Sequence, residues 1–159
     1  DDIATGVVTS SRAQAEISQP LRTDHREPFS KSPKMNLVNR FALDNGQKLL
    51  VINIHGINFR DKQALQAQYE LAKPYMVSHI GPIIFAGDFN TKKDSKLEMT
   101  DEWMGQFGMK RITFHNDDRK KKLDNVYYRG LRVNHKQLHE DVKGSDHPAI
   151  TVQFSAENK

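Results

Sequence analysis

From Met35 to Gly87 the chain reads as strand, tight turn, strand, helix, strand, and that order constrains the fold more than any other feature. Met35 to Leu43 (MNLVNRFAL) alternates as a half-buried strand does. Asn45-Gly46 is a two-residue hairpin signal. Lys48 to His55 (KLLVINIH) returns as a strand with Leu50, Ile52 and Ile54 on one face. Asp61 is placed to cap a helix, along which Leu65, Tyr69, Ala72 and Met76 share a face. Pro74 should kink or divide that helix. Gly81-Pro82 then ends it and launches IIFAG, residues 83–87.

A second helix is expected over about Leu97 to Phe107, with Gly108 at its C-cap. Short strands follow at Arg111 to Phe114, Asn125 to Arg129, Leu131 to His139 and Ala149 to Phe154. Val7 to Thr9 also reads as a strand. Residues 13–34 hold Pro20, Pro28 and Pro33 and read as a long irregular connection. Strand and helix in alternation, followed by several strands, predict an α/β domain with a mixed sheet.

With 159 residues, 36% hydrophobic and 28% charged, the chain fits one domain with a real core. It has no cysteine, which excludes disulfides and thiolate metal sites. No apolar run approaches membrane-spanning length. Net charge is +4, a mild lean towards anionic partners. The run Arg119-Lys120-Lys121-Lys122 concentrates that charge beside polar motifs, where it could meet phosphate.

Four polar clusters border apolar strands: His55 in NIHGIN, Asp88 and Asn90 in AGDFNT, Asp124 in KLDNVYY, and Asp146-His147 in GSDHPAI. Each alone has a structural reading as a turn, a cap or a satisfied histidine. Together they supply what metal-assisted hydrolysis of a phosphate ester needs. A hard cation such as Mg²⁺ (or Mn²⁺) takes oxygen ligands and stabilises charge on phosphoryl oxygens. Asp88 suits a base for water, with Asn90 supporting it. His55 and His147 suit donors to phosphoryl oxygens, and Asp124 suits the partner that fixes an imidazole tautomer. Gly87 is expected to leave room for substrate or metal.

GDFNT, LDNVYYRG and GSDHPAI, in that order, resemble the endonuclease/exonuclease/phosphatase superfamily, specifically an uncharacterised bacterial branch of it. The resemblance spans about Gly6 to Phe154. It implies a four-layer α/β sandwich of two mixed sheets, deoxyribonuclease I-like. By that resemblance His55 contacts the scissile phosphate, Asp88 activates or orients the water, and Asn90 supports both. Asp124 pairs with the catalytic histidine His147, and Asp146 lies near the metal. Arg12 and Arg129 are further phosphate contacts.

The family's N-terminal strands supply a metal-binding Glu at a strand ending in Gln-Glu. No such strand is found here, so the chain reads as a fragment missing its N-terminal strands, with the principal metal ligand expected upstream of residue 1. It should bind metal weakly or not at all by itself, and sheet edges exposed by truncation would favour self-association. The expected activity, for the parent protein, is a Mg-dependent phosphohydrolase cleaving phosphodiester or phosphomonoester bonds, with nucleic acid among the candidate substrates. The alternative is a non-catalytic phosphate- or nucleic-acid-binding module of the same fold.

Overall fold

The computed structural model describes residues 6–29, 31–141 and 144–157. Strands β1 (Ile17–Arg26), β2 (Pro33–Ala42), β3 (Lys48–His55), β4 (Ile83–Asp88), β5 (Lys110–Arg111) and β6 (Asp124–Arg129) form one six-stranded sheet in the order β1-β2-β3-β4-β6-β5. β3 and β4 pair in parallel, and the other neighbours are antiparallel. The sheet is therefore mixed. β7 (Leu131–His139) and β8 (Ala149–Ala156) form a second, antiparallel sheet of two strands among the described residues.

The connection between β3 and β4 is helical. Asp61 caps α1 (Lys62–Glu70) by accepting a hydrogen bond from the Ala64 amide at 2.9 Å. Pro74 sits in the first turn of a separate helix, α2 (Lys73–Ser78). Proline fits there because its missing N–H would have no intrahelical partner anyway. α3 (Asp94–Gly105) follows β4.

Two expectations fail in the N-terminal part. Residues 13–34 are not an irregular connection: β1 runs through their middle and pairs with β2 from Ile17 opposite Arg40 to Arg26 opposite Pro33. The prolines mislead here because β1 is an edge strand, where Pro20 forfeits no needed ladder bond, and Pro33 opens β2. Val7 to Thr9 is not a strand. It lies as coil over the sheet, with the Val8 carbonyl accepting from Asn53 Nδ2 at 2.8 Å.

Strand alternation sorts the sheet into two faces. Ile52 and Ile54 of β3, Phe85 of β4 and Tyr127 of β6 join Leu65, Tyr69, Met76 and Trp103 in one buried cluster under the helices. Tyr69 stacks edge-on against Phe85 and Phe89 at centroid distances of 6.3 and 5.9 Å. The opposite face carries Leu49, Ile84 and Tyr128. The second sheet approaches there, with Phe154 5.2 Å from the Tyr128 ring. The molecule is thus helices, a mixed sheet and a second sheet in layers, an α/β arrangement. At the strand ends on that opposite face stand His55, Asp88 and Asp124.

A carboxylate and imidazole row as the candidate active site

His55, Asp88 and Asp124 occupy one register row. His55 of β3 pairs with Asp88 of β4, and Asp88 pairs with Asp124 of β6. Three neighbouring strands therefore deliver three polar side chains to one edge of the same face. His147, two residues before β8, completes the group from the second sheet. Its Nδ1–H donates to Asp124 Oδ2 at 2.6 Å. His55 Nε2 lies 3.6 Å from Asp88 Oδ2. Ligand atoms of Asp88, Asp124 and His147 all lie within 4.8 Å of one another. These residues, with Asn90 and Asp146, line one open cleft of about 600 Å³.

The turn after β4 is built around Asp88. Asn90 adopts a left-handed φ of 52°, a conformation that costs energy outside glycine but suits Asn best. In return its amide N–H donates to Asp88 Oδ1 at 2.8 Å, and its Nδ2 donates to Gly56 O at 2.7 Å and Asp88 Oδ2 at 3.2 Å. Both carboxylate oxygens of Asp88 are thus held, and the turn is tied to the end of β3. Gly87 has a different role from the one expected. Its φ is 136°, and a Cβ there would lie 2.2 Å from Ile54 O. The glycine lets β4 approach β3; it does not open space for a ligand.

The two histidines are tuned in opposite directions. Burial and the nearby Lys34 ammonium hold His55 below the ordinary histidine value, against the pull of Asp88 and Glu27. His147 is also penalised by burial, but the Asp124 carboxylate beside it outweighs that, with Asp88 and Asp146 adding to it, so its pKa is raised. Burial lifts Asp124, and the His147 charge opposes this without cancelling it. The shifts thus favour the neutral imidazole at His55 and the charged form at His147.

The basic run divides. Arg119 grips both oxygens of Asp117 at 2.8 and 2.9 Å and donates to the Asp124 carbonyl at 2.8 Å. Its side chain is 5% exposed, so it braces the Asp124 backbone. Lys120 and Lys121 are exposed and line the cleft. The structure does not bring the two arginines to the site. Arg129 spends its guanidinium on the carbonyls of Phe107, Met76 and His79, and Arg12 is exposed coil outside the cleft lining.

Sequence reasoning missed Thr91 and Asn125, which fasten the two motifs. Asn125 Nδ2 donates to Thr91 Oγ1 at 3.1 Å and to Lys122 O at 3.0 Å, and Thr91 in turn donates to Lys122 O. Their membership in GDFNT and LDNVYY was visible, but not that they bond to each other. Lys34, paired with Glu27 at 3.4 Å, also lines the cleft, and it gave no signal in the sequence.

Solved structures share this fold, and relatives share the sequence over most of the chain. The endonuclease/exonuclease/phosphatase family protein of Bacteroides thetaiotaomicron superposes with a TM-score of 0.65 at 15% identity, over 91% of this chain and 66% of that one. The human Nocturnin catalytic domain, solved with bound sulfate, gives 0.65 at 14% identity, over 92% and 60%. A UPF0294 protein of Vibrio campbellii is 31% identical over 96% of this chain and 56% of its own length. The chain thus spans little more than half of that curated relative. Residues 4–147 match the sequence pattern of the Endonuclease/Exonuclease/phosphatase family, and the chain belongs to that family.

Proposed function

We propose that this domain, in the whole protein, hydrolyses phosphate esters with the help of a divalent cation. The observation that carries the reading is the row His55–Asp88–Asp124 closed by His147. Binding a phosphate does not require carboxylates, which repel it unless a cation lies between them.

The donor set fits a hard cation, because the cleft offers carboxylate oxygens and no sulfur. Asp124 and His147 are engaged with each other and Asp88 is held by Asn90, which leaves Asp146, exposed in the cleft lining, as the carboxylate that would help to hold Mg²⁺ or Mn²⁺. Bound there, the ion would neutralise charge on the phosphoryl oxygens.

The chain's own groups divide the remaining work. Asp88, fixed by Asn90, accepts a proton from, or orients, an attacking water at a carboxylate oxygen. His55 is neutral and donates a hydrogen bond to a phosphoryl oxygen without adding a charge. His147 keeps its proton because Asp124 stabilises the imidazolium. With Nδ1 spent on Asp124, Nε2–H is left to donate towards the phosphoryl group or the leaving oxygen.

The test is turnover by the full-length protein of plasmid DNA, inositol phosphates, sphingomyelin and a generic phosphodiester in Mg²⁺. Asp88→Ala and His147→Ala should each abolish turnover with the circular dichroism spectrum unchanged. Near-wild-type activity in either variant overturns the assignment.

A further inference from the structure

Two apolar rings stand in water on the rim outside the cleft. Phe29 is 82% exposed and Phe59 59%, and the rings meet edge-to-face at 5.7 Å. Phe29 belongs to the loop joining β1 to β2, and Phe59 to the loop between β3 and α1. Both loops hold their ring in place by backbone geometry. Glu27 N–H donates to Ser32 O at 3.2 Å and Lys31 N–H to Glu27 O at 3.0 Å, which closes the first loop around Phe29. Phe59 has a left-handed φ of 56°, a strained conformation for a bulky side chain that persists only where the surroundings enforce it. Its amide donates to Asn58 Oδ1 at 2.9 Å, Asn58 N–H donates to Glu27 Oε1 at 3.1 Å, and Arg60 Nε donates to Arg26 O at 2.8 Å. The two loops are thus clipped to each other, and the paired rings are what they present to solvent.

The charge around the pair is one-sided. Lys92 Nζ lies 5.2 Å from the Phe59 centroid, which brings a third loop to the rings. Arg26, Lys31, Arg60, Lys62, Lys92 and Lys93 are all exposed on these three segments. Of the acids on the same segments, Glu27 is buried and faces Lys34 at 3.4 Å. Asp61 is exposed but caps α1, and Asp94 is exposed in the first turn of α3. A cationic excess therefore remains. It is felt by Lys96, whose ammonium is held below the usual lysine value by burial first and then by Lys93 and Lys92, against the pull of Asp61.

The shape of the rim selects the partner. Phe29 is not among the residues that line the cleft, so the pair protrudes instead of walling a ligand pocket. A stable protein interface needs a continuous face of about 800 Å² on each partner, which two rings on loop tips do not supply. A bilayer surface needs no such face: protruding rings enter the boundary of the acyl chains, while lysines and arginines around them meet anionic headgroups.

We propose that the Phe29–Phe59 pair and the cations around it dock the protein on the surface of an anionic lipid membrane. The docking surface lies outside the carboxylate row and does not depend on the phosphohydrolase reading.

The experiment measures docking apart from turnover. Co-sedimentation of the full-length protein compares phosphatidylcholine vesicles with and without phosphatidylserine. Binding should require the phosphatidylserine and weaken as salt rises. Phe29→Ala combined with Phe59→Ala should weaken it by about a hundredfold, the scale of two rings withdrawn from an apolar phase. Lys92→Gln combined with Lys93→Gln should weaken it by about thirtyfold, the scale of two cations at an anionic surface. All four side chains are exposed, so urea midpoints should stay at the wild-type value. Phe29→Trp should shift its emission to the blue when phosphatidylserine vesicles are added. Wild-type binding that is equal on both vesicle types, absent from both, or undiminished in the phenylalanine variant overturns the proposal. Loss in the lysine variant alone, with the Phe29→Trp emission unmoved, means adsorption by charge without insertion and also overturns it. Phenylalanine-dependent binding to heparin in place of vesicles assigns the rim to a soluble polyanion and overturns it as well. Vesicle docking with no hydrolysis of any substrate would sustain this surface and sink the phosphohydrolase reading instead.

Discussion

Nδ1 of His147 lies 2.6 Å from Oδ2 of Asp124; Asp124 opens β6 of the six-stranded sheet, and His147 sits in the bend two residues before β8 of the second sheet. The contact is the point at which the second sheet is coupled to the strand row. It fixes the imidazole tautomer and stabilises its charged form. Asp124→Asn should keep the shape but lose the charge. Turnover is then expected to fall about 10²–10⁴-fold, the range for losing an oriented general acid–base group. The His147 pKa should fall at the same time, read by NMR titration of the imidazole. A lowered rate with an unmoved His147 pKa would mean that Asp124 acts otherwise.

The opposed tuning of the two histidines gives a signed pH prediction. His147 has a raised folded pKa, so its contribution to stability is full below the ordinary histidine value, about 6.5, and is lost as pH rises through the folded value. His55 has a depressed folded pKa, so its contribution is present above about 6.5 and is lost as pH falls through the folded value. Urea midpoints measured from pH 5 to 8 should show the alkaline loss diminished in His147→Gln and the acid loss diminished in His55→Gln. Lys34→Met should raise the His55 pKa by NMR, because the ammonium is one of the charges holding it down.

Much of this was legible because the strands that carry the site are strongly patterned. KLLVINIH is β3 from its first residue to its last, and the Leu131 to His139 strand is likewise matched. Asp88, Asn90, Asp124 and His147 were marked by polar residues at apolar strand ends, and the fold brings them into one cleft. What sequence could not reveal is pairing at a distance. Nothing local says that His55, Asp88 and Asp124 share a row, since register is set by the whole sheet. The same holds for β1: its prolines speak for a loop until an edge position makes them harmless. Arg119 read as part of a basic run that could meet phosphate, because Asp117, its partner, is only one of several nearby acids.

Gly87 is a position where the expected reason and the observed one lead to different experiments. If it made room for a ligand, Gly87→Ala would impair binding with little effect on folding. The Ile54 carbonyl 2.2 Å from the would-be Cβ and the φ of 136° predict the reverse. The substitution should destabilise by about 3 kcal/mol or more, combining backbone strain with a clash against backbone. Gly46→Ala is the control. Its φ is 80° with nothing within 4 Å of the Cβ, so it should cost only about 1 kcal/mol. Urea unfolding of the two variants separates the cases.

Arg129 tests whether a cation near the end of a strand serves the ligand or the fold. Its guanidinium donates to Phe107 O at 2.9 Å, Met76 O at 3.3 Å and His79 O at 2.7 Å. Met76 belongs to α2, and Phe107 lies just beyond the end of α3, so one side chain satisfies carbonyls that two helix ends leave without intrahelical partners. Charge-assisted bonds of this kind are individually strong. Arg129→Met, which keeps much of the aliphatic stem, should therefore lower stability by about 3 kcal/mol. At a temperature where the variant is fully folded, its KM for a phosphodiester should equal that of the wild type. Lys121→Met should show the opposite pattern, with the urea midpoint unchanged and KM raised, because that ammonium faces the cleft from an exposed loop. A rise in KM for Arg129→Met without loss of stability would return the arginine to the phosphate.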